Sequence, residues 1–104
     1  MIKVSDLLKE IELAQQRIAP YVLRTDLIES NVLSKRLDCR VLLKLENLQH
    51  TGSFKARGAL NKLLSLTDEQ RSCGITAAST GNHALAVAYA MKVTGTTGTL
   101  YMPT

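Results

Sequence analysis

Apolar residues open this chain at helical spacing. Val4, Leu7, Leu8, Ile11, Ala14 and Ile18 fall on one face, which predicts a helix stopped by Pro20, with Ser5 or Asp6 as its cap. Residues 20–29 show no period and read as irregular. Val32, Leu33 and Leu37 share a face in a short helix over 30–37. The run Arg40-Val41-Leu42-Leu43-Lys44-Leu45 is nearly continuous in apolar character, which predicts a strand covered on both faces.

Residues 47–52 read as a loop. Ser53 is placed to cap a helix reaching about Leu66, with Phe54, Ala59, Leu60, Leu63 and Leu64 turned inward. Thr67-Asp68-Glu69-Gln70 has capping-box form and opens a short turn of helix. A second strand is expected over 74–78, a tight loop at Thr80-Gly81-Asn82, and an alanine-rich helix over 84–93 that closes near Gly95. A third strand follows over 97–102, ended by Pro103.

Alternating helices and strands in this order predict α/β architecture with mostly parallel strands and right-handed crossovers. Three parallel strands call for helices on both faces, and the chain supplies too few of them. It therefore reads as an incomplete piece of a three-layer αβα fold, the first part of a larger protein.

Composition agrees with a soluble globular domain. The chain has 104 residues, 45% hydrophobic and 21% charged, with one Phe, three Tyr and no Trp, so its core must be aliphatic. Thirteen Lys and Arg against nine Asp and Glu give a formal charge of +4. The basic residues are scattered, only Lys35-Arg36 being adjacent, and aromatics for base stacking are scarce. No nucleic-acid partner is expected. A mildly basic site for an anionic ligand fits the balance. The longest apolar run, residues 84–91, is too short for a membrane span, and no signal peptide is visible at the start, so no membrane partner is expected. Cys39 and Cys73 have neither CxxC spacing nor nearby histidines. Reduced thiols in a cytoplasmic protein are the expectation, and no metal site.

Two loops carry candidate chemistry. In the first, Glu46-Asn47-Leu48-Gln49-His50-Thr51-Gly52-Ser53-Phe54-Lys55-Ala56-Arg57-Gly58-Ala59, polar groups crowd a strand-to-helix connection, the usual ligand edge of an α/β sheet. Lys55 falls in the first turn of the following helix, beside Phe54 and two residues from Arg57. The helix dipole, the apolar neighbour and the nearby cation each favour a neutral, nucleophilic amine. Local physics favours the plainer alternative, a solvent-facing lysine at a helix start. In the second loop, Ser79-Thr80-Gly81-Asn82-His83, a strand ends and a helix begins. Its free N–H groups suit a carboxylate or phosphate, and plain N-capping by Ser, Thr or Asn is the simpler alternative. His83 alone is as readily a core or surface residue. No GxGxxG, Walker or SxxK pattern occurs.

Together the two loops resemble one family. Glu46-Asn47-Leu48-Gln49, Thr51-Gly52-Ser53-Phe54-Lys55 and Arg57-Gly58-Ala59 resemble the lysine motif of threonine/serine dehydratases and serine racemases. These are pyridoxal-phosphate enzymes of fold type II, the tryptophan-synthase-β-like group. Ala78-Ser79-Thr80-Gly81-Asn82-His83-Ala84 resembles their Ser-x-Gly-Asn-His loop. Arg24-Thr25-Asp26-Leu27 resembles an upstream Thr-Pro-Leu segment, with Asp26 in place of proline, and Tyr101-Met102-Pro103 resembles the strand ending that follows.

The resemblance implies that residues 1–68 begin the large cofactor-binding domain and 69–104 the small domain. It implies pyridoxal 5'-phosphate as cofactor, held by Lys55 as a Schiff base, with Lys55 later moving protons at the substrate α-carbon. Phe54 would line the cofactor pocket and Asn82 would hydrogen-bond the pyridine 3-hydroxyl. Ser79, Thr80, Gly81, Asn82 and His83 would bind the carboxylate of a small serine- or threonine-like amino acid. The implied activity is that of a hydroxy-amino-acid ammonia-lyase, removing water and then ammonia to leave a 2-oxo acid, in a full-length homo-oligomer. Thr80 stands where dehydratases commonly have Ala and serine racemases have Ser as the second acid/base, so racemase-like chemistry is an alternative. A hydroxyectoine-utilisation dehydratase-like enzyme and a truncated, non-catalytic fragment are the others. The family's glycine-rich phosphate loop is not in this sequence, and residues 1–104 alone are expected to be inactive.

Overall fold

The computed structural model describes residues 4–103. Helix α1 (Val4–Ile18) runs into a 3-10 turn at Ala19–Tyr21, where Pro20 sits in the first turn and ends the α-helical hydrogen bonding. Ser5 and Asp6 lie inside the first turn and do not cap it. The apolar face predicted for this helix is only partly used. Ile18 is buried, whereas Val4, Leu7, Leu8 and Ile11 are exposed.

Strand β1 (Leu27–Glu29) occupies the stretch read as irregular, and pairs antiparallel with β2 (Leu42–Lys44), with Leu27 opposite Lys44. Leu45 N–H to Asp26 O (3.0 Å) and Ser30 N–H to Val41 O (3.0 Å) extend the pairing at both ends. Two findings depart from the sequence pattern here. The pairing is antiparallel, and all three β2 residues are exposed where a doubly covered strand was expected. Between the strands lies α2 (Asn31–Leu37), capped by the Ser30 hydroxyl, which accepts from Leu33 N–H. Asp38 closes it in the left-handed region at φ 50°.

After β2 the chain makes 3-10 turns at Glu46–Leu48 and His50–Gly52 and enters α3 (Lys55–Leu64). Its N-cap is Phe54, not Ser53, whose hydroxyl only accepts a 3.4 Å bond from Lys55 N–H. Phe54, expected inward, is 62% exposed. Helix α4 (Asp68–Ser72) has the capping box read from its sequence: Gln70 N–H donates to Thr67 Oγ1, and Thr67 N–H to Gln70 Oε1. Strand β3 (Ile75–Ala78), helix α5 (Asn82–Thr94) and strand β4 (Gly98–Tyr101) form a β-α-β unit whose strands pair parallel, as predicted.

The core lies where α3 crosses α5. Leu60, Ala86 and Ala90 are wholly excluded from solvent, joined by Ala59, Leu63, Val87 and Ile18. Alanines on α5 let the two helices approach, and Leu60 is the large side chain that fills the contact. Ile75, Ala77 and Leu100 pack against this cluster from the parallel strands. Lys55 and the start of α5 are thus mounted on the best-packed elements.

Gly98 records how close β3, β4 and α5 are. A Cβ there would stand 2.2 Å from Ile75 O and 2.8 Å from Met91 Sδ. Gly98→Ala is expected to destabilise by about 2–4 kcal/mol, because backbone must shift to admit the methyl. Gly58→Ala, where a Cβ meets nothing within 4 Å, should be neutral or stabilise by up to about 1 kcal/mol. Urea denaturation of both variants checks the contrast, and equal midpoints would contradict it.

Candidate functional site

Three polar residues are buried among the described residues: Thr25, Gln49 and Ser53. All lie in, or against, the segment leading to Lys55. Buried polar groups persist when hydrogen-bonded; Ser53 accepts only from Lys55 N–H, and the bonds of Thr25 and Gln49 belong to one network. Arg57 grips Glu46 with both ends of its fork, Nε to Oε2 at 2.9 Å and Nη2 to Oε1 at 2.7 Å. Thr25 Oγ1 donates to Glu46 Oε1 at 2.6 Å. Arg57 Nη2 also donates to Leu23 O at 3.0 Å. Gln49 uses its carboxamide like a strand edge, accepting from Leu23 N–H (2.9 Å) and donating to Leu23 O (2.8 Å). Lys44 Nζ donates to Thr25 O.

The Glu46 carboxyl titrates far below its ordinary value of 4.5, at about 2. Its hydrogen bonds from Arg57 are the main cause and Thr25 adds to them, against the opposing effect of partial burial. On the other side of the loop, the His50 ring lies 5.2 Å from that of Tyr89 on α5, and Tyr89 Oη donates to Tyr21 O at 2.8 Å. Between these anchors Thr51 sits at φ 67°, left-handed and unusual for a β-branched residue. Its Oγ1 is buried with no partner.

Lys55 is the first residue of α3. Its Nζ lies 5.1 Å from the centre of the Phe54 ring, and it makes no ion pair among the described residues. Arg57, read from sequence as a cation acting on that amine, instead has its charge matched by Glu46. Lys55 faces a cleft of about 520 Å³ that Phe54 and His83 also line, with Leu63, Ile75 and Val87 among its apolar walls.

The second loop leaves β3 at Ala78 and enters α5 at Asn82. Gly81 is the N-cap, and no side chain caps the helix. Capping by Ser, Thr or Asn is therefore not the explanation of this sequence. Ser79 Oγ turns back to accept from Gly81 N–H at 3.3 Å. Thr80, Gly81, Asn82 and His83 are exposed. The N–H groups opening α5 are thus left available for an anion. Phe54, Lys55 and His83 meet in one cleft, while Ser79, Thr80, Gly81 and Asn82 lie outside its lining.

An amine with no ion pair among the described residues, opening on a cleft, suits a carbonyl-bearing cofactor, and an uncapped helix N-terminus suits the carboxylate of an amino acid. The residues present fit pyridoxal phosphate in that respect. Sequence reasoning quoted Glu46, Gln49 and Arg57 but assigned them no role in holding the loop. Their only signal was the density of polar residues before Lys55.

Comparison with known proteins points the same way. Residues 18–104 match the family model described as pyridoxal-phosphate dependent enzyme. The chain is 53% identical over 97 residues to the catabolic L-threonine dehydratase TdcB of Staphylococcus aureus (strain USA300), covering 92% of this chain and 28% of that protein. It is similar to the solved threonine deaminase of T.th. (49% identity, TM-score 0.79, 92% of this chain and 33% of that one). Maize serine racemase is another structural relative (42% identity, TM-score 0.86, 92% and 30%). The chain thus spans about a third or less of the length of these relatives.

The acid shift of Glu46 sets a pH dependence. Its folded-state pKa is depressed, so the stability it contributes is complete above 4.5 and is lost as pH falls towards about 2. Glu46→Gln should lower stability at neutral pH by about 2 kcal/mol and flatten the melting-temperature curve across that window. Melting curves of both proteins against pH check this, and parallel curves would contradict it.

Proposed function

The chain belongs to the pyridoxal-phosphate dependent enzymes, and from that premise we propose that it carries the lysine-bearing part of a hydroxy-amino-acid ammonia-lyase. The substrate is a serine- or threonine-like amino acid, and the products are a 2-oxo acid and ammonia. The observation that carries the reading is the placement of Lys55, the first residue of α3, with no ion pair among the described residues and facing a cleft that His83 also lines.

Each residue then has a task. Lys55 Nζ would hold the cofactor at its carbonyl carbon, and the same amine would move a proton at the substrate α-carbon. Phe54, exposed and lining the cleft, would give the cofactor an apolar wall. Asn82 offers its carboxamide to the ring hydroxyl. The uncapped N–H groups opening α5, with Ser79, Thr80, Gly81 and His83 around them, hold the substrate carboxylate. When bound, pyridoxal phosphate supplies an electron sink for charge developing at the α-carbon. This reading carries a homo-oligomeric full-length protein and a cytoplasmic location. Among the described residues no helix is long and apolar enough to cross a membrane.

Racemisation is a second reading, and Thr80 is what favours it. Its side chain is exposed at the entrance to α5, and its hydroxyl makes no hydrogen bond among the described residues. In this reading that hydroxyl is the proton donor for the face of the α-carbon away from Lys55.

Two experiments test these assignments. Borohydride reduction of the full-length protein with pyridoxal phosphate, followed by peptide mapping, should place the pyridoxyl group on Lys55. Label on Lys44 or Lys62 instead would refute the assignment. Thr80→Ala should lower racemisation at least tenfold and leave elimination from serine or threonine within about threefold, since a positioned proton donor contributes on the order of 10²-fold or more. Equal loss of both activities would show that Thr80 only shapes the carboxylate site.

A further inference from the structure

Arg57 and Lys55 are two residues apart on one helix, so their side chains leave α3 about 200° apart. Whatever holds Arg57 on one side aims Lys55 to the other. Arg57 is held by three hydrogen bonds, two to Glu46 and one to Leu23 O. Glu46 is fixed in turn by Thr25 and by its place in the turn that follows β2. Gln49 ties the same loop to both backbone groups of Leu23. Four residues before Lys55, Thr51 stays left-handed with a buried, unpartnered hydroxyl. Backbone of that kind costs about 1–3 kcal/mol and persists only where its surroundings over-determine it.

We infer that the Thr25–Glu46–Arg57 network is a positioning device, which fixes the rotation and entry angle of α3 so that the Lys55 amine opens on the cleft. Stability alone does not account for such a network. A part-buried ion pair is often matched or bettered by apolar residues of similar size. What apolar residues cannot supply is a directional bidentate link from the helix that bears the lysine to the two segments before it. Thr25, Glu46 and Arg57 are positioning residues here; none of them lines the cleft that Lys55 faces. The inference rests on the reading that Lys55 carries the cofactor, and deepens it.

The test uses the full-length protein loaded with pyridoxal phosphate and three graded variants. Arg57→Lys keeps the charge and loses the fork. Glu46→Gln keeps the shape and loses the charge. Thr25→Val removes one donated hydrogen bond. Arg40→Lys, in the exposed Glu29–Arg40 pair, is the control. Three quantities are read on folded protein: kcat and KM, the visible circular dichroism of the bound cofactor, and the rate of borohydride-trapped labelling of Lys55.

Misplacing a reacting group by about 1 Å can cost on the order of 10²-fold in rate. Arg57→Lys and Glu46→Gln should therefore lower kcat roughly 10–100-fold with KM within about threefold. They should weaken the visible dichroism and slow labelling of Lys55, while Thr25→Val shows smaller losses of the same kind and Arg40→Lys none. Variants that melt earlier yet keep kcat, dichroism and labelling rate per folded molecule would overturn the inference. Failure of all three to fold would do the same, making the network purely structural. Absence of label on Lys55 in the unmodified protein would instead overturn the functional reading beneath it.

Discussion

The Glu46 carboxylate is the constraint on which the approach to Lys55 depends. It accepts from Thr25 on the segment entering β1 and from Arg57 on α3, and it follows directly on β2. A single group thus joins three pieces of chain, with the Gln49–Leu23 and Lys44–Thr25 hydrogen bonds beside it. The β1–β2 pair buries none of its six residues, so apolar packing does not hold these segments in register. Directional polar bonds do, and their strength comes from partial exclusion of water, the same condition that makes an unpaired member costly. That coupling explains why the buried polar residues cluster here and nowhere else among the described residues.

The other half of the site is positioned by a different force. Helix α5 is set by packing, with Ala86, Val87 and Ala90 against Leu60 and Leu63 of α3, and with Ile75 and Leu100 of the parallel strands beneath. Small residues on α5 and the missing side chain of Gly98 bring these layers to contact distance. Lys55 and His83 share a cleft because each lies in the first turn of one of two helices that cross at this core. Polar bonding fixes how α3 is rotated, and apolar packing fixes where α5 begins relative to it. The His50–Tyr89 contact and the Tyr89–Tyr21 hydrogen bond link the two systems.

How legible this was in the sequence follows from the range of each interaction. Local signals were read correctly: Pro20 ending α1, the Thr67–Gln70 capping box, and Gly95 closing α5 at φ 66°. Each is decided within a few residues. The resemblance carried by the two loops identified the family, because two long motifs in order are specific. Non-local pairings were not legible. Strand β1 has three residues and no alternation that periodicity can detect, since its pairing is decided by Lys44 and Leu42 across α2. Arg57 pairs with Glu46 across eleven residues and two 3-10 turns, so sequence proximity to Lys55 suggested a different role. Phe54 was placed inward on hydrophobicity alone, whereas its position as N-cap precedes the turn at which α3 meets the core.

Those misreadings share a physical origin that bears on function. Hydrophobicity places a residue correctly only when burial decides its position, and around Lys55 burial does not decide. Phe54 is exposed beside an amine that has no ion pair among the described residues, Thr51 is strained with an orphaned hydroxyl, and Gly81 leaves the N-terminus of α5 uncapped. Each departs from what folding alone would favour, and all of them lie within the two loops that flank the cleft. A chain selected only for stability would cap α5 and give Thr51 a partner. Retaining these costs in one place, with a bonded network beside them to sustain the strain, is the arrangement expected where a ligand completes the missing contacts.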